Sequence, residues 1–367
     1  MIARGAIGLV RKKSDVFEIS KGLAEIGWKT ARWLYRKGSS GGVVGAVYNK
    51  LRASDTNQPG LLLKLMGQEI VRFYREESNP LLVAHPTLVT ILRGRPNLIY
   101  QHGELIAPDQ ALVEGAAYIL VPTQTVAERF IAAGYREEQV IVTGLCIEPP
   151  LVRQAADSFQ LRLRRFDSDR PLTAALFSSG AEPTPHIEKL IAATRSLIDS
   201  VHRAIVFAEQ GGKLEKASRP LVAAGDLTPL SDRAEAAEPS ASSSLLVSFT
   251  NRRELNAITA KLFPQFDLIV SPAHERVNWA LGLGLPIFLL EPSIGPFAPL
   301  NRDLVLARGC GLLLNDLDSA NKLGETLASC RRSGDLTSFA SAGWGKKSIE
   351  GFANIAAWLQ ATFVDPE

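Results

Sequence analysis

The feature that most limits how this chain can fold is an alternation. Short, unbroken apolar runs recur along it, each followed by a stretch with helical spacing. Strand candidates lie at 15–19 (DVFEI), 80–84, 96–100, 117–121, 139–143, 172–177, 204–208, 244–248, 267–271, 286–290 and 311–314. Helical patterns fill 61–76, 124–134, 186–200, 252–263, 275–284 and 302–309. Apolar runs without polar alternation fit strands buried on both faces. Such strands separated by helices predict an α/β chain with parallel sheets and crossover helices. At 367 residues, two domains of roughly 100–200 residues each are expected.

The sequence EPP at 148–150 ends one block, and the charged stretch RLRRFDSDR at 162–170 precedes the next set of strands. The expected organisation is a first domain over 1–150, a linker over 151–170, a second domain over 171–335, and C-terminal helices over 336–367 that have the option of packing back on the first domain. Residues 214–243, rich in Ala, Ser, Pro and charge, read as a long surface loop. Residues 348–363 read as a final amphipathic helix. The fold expected is two Rossmann-like domains facing a cleft, with ligands beyond the carboxyl ends of the strands.

Charge decides between partners. The net charge is +3, too small to argue for nucleic acid. Residues 1–60 hold 11 Lys or Arg and 4 Asp or Glu, so this segment is +7 (11 − 4) and the rest is −4 (3 − 7). A basic end on a near-neutral body suggests an anionic surface as partner. The pattern 22–37 places Trp28, Trp33 and Tyr35 among Lys29, Arg32, Arg36 and Lys37, a mixture suited to the headgroup zone of a membrane. A solvated helix with one buried face is the alternative. No run approaches the roughly 18–20 apolar residues that span a bilayer. The first residues are a poor signal peptide, because their charges follow the short apolar run. The expected location is the cytosol, peripherally on a membrane. Cys146, Cys310 and Cys330 lie far apart, with no metal or disulfide spacing.

The run AYILVPTQTVAERFIAAGYREEQVIVTGLCIEPPLV at 117–152 is specific. It resembles the end of the N-terminal domain in monogalactosyldiacylglycerol synthases and processive diacylglycerol glucosyltransferases. Their pattern is a strand, P-[TS], a helix ending in Gly, a short strand, then G-x-P-[IV]-x-P. Pro122, Thr123, Gly134, Val142, Gly144, Ile147 and Pro149 fit it, and Cys146 stands where Pro is usual. LLVAHPT at 81–87, NLIYQHGE at 97–104, FDLIVSPAHERVNWALGLGLPIFLLEP at 266–292 and NRDLVLARGCGLLL at 301–314 extend the likeness. The chain is also similar to the N-acetylglucosaminyltransferase that makes the lipid precursor of peptidoglycan. The resemblance implies the GT-B architecture and transfer of a hexose or N-acetylhexosamine from a UDP sugar to a lipid or other membrane acceptor, without a metal or other cofactor. A catalytically degenerate relative and a nucleotide-sugar epimerase are the alternatives.

Three departures stand out. The family opens with a strand and a G-G-G-H-x-A loop. Here ARGAIGLVRKK at 3–13 looks like the helix after that loop and DVFEIS at 15–20 like the second strand, so the first strand and loop are expected to lie upstream of Met1 or to have been lost. Trp279 falls where the family pattern G-P-G-T-x-x-E-A has a donor-binding Glu. Ser178-Ser179-Gly180 replaces the Gly-rich loop after the second domain's first strand.

Candidate sites follow. Ser178, Ser179 and Gly180 are either a diphosphate-binding turn or an ordinary strand–helix turn. Ala273, His274, Glu275 and Arg276 also lie between a strand and a helix, where Arg276 suits a pyrophosphate and Glu275 either suits sugar or ribose hydroxyls or is simply a favourable first-turn acid. Ser293 and Asn301 flank the next helix start, Asn301 reading equally as a cap. Phe249 ends a strand where the family reads uracil, or is a core residue. His102 in QHGE is the candidate base, with Glu104 beside it, or a structural histidine. His85 in His-Pro reads as a turn residue on the acceptor side, with Trp28, Lys29, Arg32, Trp33 and Arg36 as the acceptor and membrane face. His186 and His202 carry no constellation. GSSGG at 38–42 lacks the Lys of a nucleotide phosphate loop.

Overall fold

The computed structural model describes residues 16–22, 24–30, 61–230 and 243–364. They form two compact units. One holds the described residues up to Pro149 together with those from Ser348 onward; the other is Pro150–Lys347.

The first unit opens with a short helix α1 (Val16–Ile19) and a helical stretch at 24–30. There follow α2 (Leu61–Phe73), β1 (Leu81–Val83), α3 (Pro86–Ile91), β2 (Leu98–Gln101), β3 (Tyr118–Val121), α4 (Gln124–Ala132) and β4 (Val140–Val142). The four strands are parallel, in the order β1-β2-β3-β4. Thr123 caps α4 by accepting from the Val126 N–H, and Gly134, at φ +107, follows its end. One face of the sheet packs on the core of Ile70, Val89, Tyr100, Val126 and Phe130. A C-terminal helix, Gly351–Phe363, covers the other face through Ile355, Trp358 and Phe363.

The chain returns to this unit beside Gly144. The Leu145 N–H donates to the Ser348 carbonyl at 2.8 Å, and the Gly351 N–H donates to the Leu145 carbonyl. At Gly144 φ is +94, and a Cβ there would come within 2.9 Å of the Ser348 carbonyl oxygen. Only glycine meets both conditions.

The second unit starts at the second residue of α5 (Pro149–Phe166). It continues through β5 (Thr173–Phe177), α6 (Thr184–Asp199), β6 (Arg203–Glu209), α7 (Lys213–Ala223), β7 (Thr228–Leu230), β8 (Leu245–Phe249), α8 (Arg252–Leu262), β9 (Leu268–Ser271), α9 (Val277–Leu283), β10 (Ile287–Leu290), α10 (Ala298–Ala307) and β11 (Gly311–Leu314). Three further helices close it: Leu317–Asn321, Leu323–Ser333 and Asp335–Gly343. The seven strands are all parallel, in the order β11-β10-β9-β5-β6-β8-β7. The central strands β5, β6, β9 and β10 are buried almost throughout, which is why they read as continuous apolar runs.

Three sequence expectations are corrected. Of the expected strand at 15–19, the described residues 16–19 are helical: Val16 and Ile19, three apart, both pack on the first unit's core, which is helical spacing. The supposed linker 151–170 is mostly α5, whose buried stripe of Leu151, Ala155, Phe159, Arg162 and Phe166 follows the helical period despite its charges. The supposed loop 214–243 contains most of α7 and the edge strand β7; α7 buries Leu214, Ser218 and Leu221 on one face around an internal Pro220. Residues 231–242 lie outside the described residues.

Candidate functional site

From β5 the chain crosses to β6 on one side, and it later returns through β9 on the other. The strand order therefore reverses between β5 and β9. In open α/β sheets this switch point, at the carboxyl ends of the strands, is where crossover connections diverge and leave a crevice. Two of the sequence candidates, 178–180 and 273–276, are the turns that follow these two strands.

After β5, the Ser178 hydroxyl oxygen is buried and has no hydrogen-bond partner among the described residues. The Ser179 carbonyl accepts from the Glu182 N–H at 3.1 Å, and Gly180 is exposed. Glu182, with φ +44, turns its carboxylate to the start of α7, where the N–H groups of Lys213 and Leu214 donate to it.

After β9, Ala273 is buried and its carbonyl accepts from Asn301 Nδ2 at 3.2 Å. Asn301 is fully buried inside α10, so it fastens that helix to the turn rather than capping it. His274 is half-buried and Glu275 exposed. Arg276 is buried with its guanidinium 3.9 Å from the centre of the Phe177 ring and 5.5 Å from Trp279. Trp279 in turn meets Phe177 edge to face at 5.7 Å. The residue standing in place of the family's Glu thus builds the aromatic seat of Arg276.

Glu275 accepts from Arg252 Nη1 at 2.8 Å and from Arg276 Nη1 at 3.4 Å. Desolvation opposes its ionisation, but the Arg276 and Arg252 cations outweigh this and hold the carboxyl at about 2. The trio carries +1 at neutral pH (2 Arg − 1 Glu). Sequence reading missed Arg252. The available signal was its position: it follows β8 and the cap Asn251 as Arg276 follows β9, in the first turn after a strand.

The remaining candidates divide. Ser293 is occupied by its own neighbour: its N–H and hydroxyl both donate to the Glu291 carboxylate at 2.7 Å, and Arg302 Nη1 reaches the same group at 3.3 Å. Phe249 is half-buried and its carbonyl accepts from the Gln210 N–H at 2.9 Å. His186, which the sequence left without a role, is fully buried in the first turn of α6, with Nε2 at 2.9 Å from the Pro292 carbonyl.

In the first unit, His102 is not placed as a base. It is buried, Nε2 lies 2.9 Å from the Ile106 carbonyl, and Nδ1 lies 3.1 Å from the Tyr100 hydroxyl. A carbonyl only accepts, so Nε2 carries the proton and Nδ1 accepts from the tyrosine. Burial lowers its pKa to about 4, against the opposing pull of the Ile106 carbonyl. His85 is exposed and caps α3, accepting from the Thr87 N–H at 3.2 Å. Trp28 turns inward: its indole N–H donates to the Met66 carbonyl at 3.2 Å and its ring packs on the core. Lys29 is exposed and pairs with Glu25 at 2.5 Å. Arg32, Trp33 and Arg36 lie outside the described residues.

The locked His102 has a measurable consequence. The unfolded chain takes up its proton near pH 6.5, whereas the folded unit holds the ring neutral down to about 4. The stability from neutral His102 is therefore present above about pH 6.5 and lost as pH falls toward 4, by roughly 2.5 kcal/mol at about pH 4.5. Urea unfolding at about pH 7.5 and about pH 4.5 is expected to show that much more loss in the wild type than in His102→Gln. Equal losses would mean that the ring does not stay neutral.

Each unit is a parallel α/β sheet, and the two together have the GT-B class of fold. No family model matches the chain and no curated protein matches it. Solved structures do match. UDP-GlcNAc 2-epimerase of Neisseria meningitidis, bound to UDP-GlcNAc, has a TM-score of 0.54 at 10% identity, over 85% of this chain and 84% of that one. The S. aureus MnaA–UDP co-structure gives 0.53 at 13%, over 99% and 86%. MurG of Acinetobacter baumannii gives 0.50 at 13%, over 92% and 96%. At these identities the likeness is one of fold. Among the described residues no helix is long and apolar enough to cross a membrane, and no three His, Cys, Asp or Glu side chains group to hold a metal ion.

Proposed function

We propose that the second unit binds a UDP sugar and that the protein transfers its hexose or N-acetylhexosamine to a lipid or other membrane-associated acceptor served by the first unit. The observation that carries the reading is the cationic trio Arg252–Glu275–Arg276 at the switch point, with Arg276 seated on Phe177, the residue before Ser178, whose hydroxyl has no partner among the described residues. A hydroxyl donor and two guanidiniums suit the oxygens of a diphosphate. When the glycosidic bond to the diphosphate breaks, negative charge grows on the departing group, and fixed cations stabilise it without a metal.

Support for a membrane acceptor comes from the first unit. Between α2 and α3 lies a groove of about 370 Å³ whose lining includes Leu63, Val71 and Ile91 together with Lys64, Arg75 and Arg72, the last paired with Glu69. Leu65 and Phe73 are exposed on the same helix. Apolar surface mixed with cations suits an anionic lipid surface. This moves the proposed membrane face from Trp28 to α2.

Two observations favour other readings. The Neisseria meningitidis 2-epimerase structure matches most of the chain, which favours an epimerase. The locked His102 and the Trp279 substitution favour a binding protein without catalysis. One experiment separates them. The protein is titrated with UDP and its common sugar conjugates, then incubated with the tightest of them, with and without lipid vesicles. UDP release that requires lipid supports transfer. Interconversion of the free sugar nucleotide at C2 identifies an epimerase, and binding with neither product a binding protein. No binding by the folded protein sinks the nucleotide-sugar reading.

A further inference from the structure

We infer that Arg252 is a diphosphate-binding residue held in place by Glu275, and that the diphosphate takes Arg252 over from that carboxylate. This rests on the second unit being a nucleotide-diphosphate site. It differs from the sequence expectation, in which Glu275 itself met the sugar or ribose and Arg252 had no part.

The geometry starts from the sheet. Arg252 follows β8 and Glu275 follows β9, and β6 and β5 lie between those strands. An ion pair of 2.8 Å between them joins turns three strands apart. It therefore reaches across the carboxyl ends of β5 and β6, where the ligand of an open α/β sheet sits. The Ser178 hydroxyl, buried and without an acceptor, follows β5 in the same place. A donor left without a partner after β5, and two guanidiniums on the turns after β8 and β9 that meet across that strand, suit a ligand with acceptor oxygens and negative charge.

The two arginines are not equivalent. Arg276 is only 8% exposed in its side chain and its guanidinium sits over the Phe177 ring, so its position is set by the core. Arg252 is 52% exposed and its contact with Glu275 is half open to water, Glu275 being 48% exposed. An exposed ion pair contributes little to stability and is readily exchanged. A diphosphate offers more negative charge than one carboxylate and a bidentate fit to a guanidinium. Glu275 stays ionised throughout the physiological range, since its flanking cations hold it at about 2, so it competes with the ligand for both arginines at every working pH. Removing that carboxylate should help a diphosphate, whereas removing a hydroxyl-binding acid should hurt it. The sign of the Glu275 effect thus decides between the two roles.

The test is calorimetric titration of the full chain with UDP and with UMP at two salt concentrations. Arg252→Gln is expected to weaken UDP binding about tenfold, the equivalent of ~1.4 kcal/mol. It should weaken UMP less and make the salt dependence shallower. Glu275→Gln is expected to tighten UDP binding. Arg253→Gln, the same charge change one residue along on an exposed position, is expected to leave it unchanged. UDP binding by the wild type that is unaltered in Arg252→Gln, or weakened in Glu275→Gln, would overturn the inference while leaving the nucleotide site standing. Absence of UDP binding by the wild type would overturn both.

Discussion

Replacing Arg162 with methionine is expected to destabilise the second unit by about 3–5 kcal/mol, the scale on which a buried ionic group loses its partners. Arg162 lies on α5, is fully buried, and donates from Nε to the Phe266 carbonyl at 3.2 Å and from Nη1 to the Leu283 and Gly284 carbonyls at 3.1 and 2.8 Å. Burial draws its pKa down to about 9, with the nearby Asp267 pulling the other way. Asp267 is itself fully buried, holding Arg165 Nε at 2.5 Å and the Thr173 N–H at 2.7 Å. Methionine keeps most of the volume but strands the buried Leu283 and Gly284 carbonyls, leaves the Phe266 carbonyl only the longer 3.4 Å bond from Arg165 Nη2, and leaves Asp267 with one cation instead of two. The bonded carbonyls bracket β9 and α9, the strand and helix on either side of the 273–276 turn, so the arginine fixes the frame on which Arg276 and Glu275 are mounted. Urea unfolding followed by the fluorescence of Trp279 and Trp344 reads the effect. A loss below about 1 kcal/mol would mean that water or relaxation satisfies those carbonyls.

Arg162 also shows where sequence reading stops. RLRRFDSDR looks like a charged break because composition carries no information about which face a residue turns inward. Once α5 is seen as a helix, Leu151, Ala155, Phe159, Arg162 and Phe166 form one buried stripe. The strands of the second unit were legible for the opposite reason: buried on both faces, they hold almost nothing polar, and the run of apolar residues is the strand. The turns at 178–180 and 273–276 were legible because they follow those strands.

What was not legible depends on contacts between distant segments. Glu182 reaches α7, and Arg252 reaches Glu275 across 23 residues of chain. His102 was readable in part: it lies two residues after Tyr100, so along a strand both point to one face, and Tyr100 belongs to the core. The sequence left the base and the structural reading of His102 both open, and its two ring contacts support the structural one.

Arg276→Met is expected to abolish UDP binding in the micromolar range, with a loss of about 2–5 kcal/mol, roughly 30-fold or more. Methionine can keep contact with the Phe177 and Trp279 rings while deleting the charge and the planar donors. The seat therefore survives and the loss reports on charge. Arg276→Lys restores the charge as a point but not the fork, so binding should return only in part. The fold should lose no more than the cation–π contribution of about 0.5–2 kcal/mol, which a thermal melt separates from the binding result. The contrast with Arg252 gives the experiment its reach. A core-set guanidinium acts before and after the ligand arrives, so its loss should weaken binding at every salt concentration. An exchanged surface guanidinium should matter most at low salt, where its attraction for the diphosphate is least screened. If Arg276→Met bound UDP as tightly as the wild type, the buried guanidinium would be a packing element of the aromatic seat, and the diphosphate would have to be held elsewhere on the carboxyl edge of the sheet.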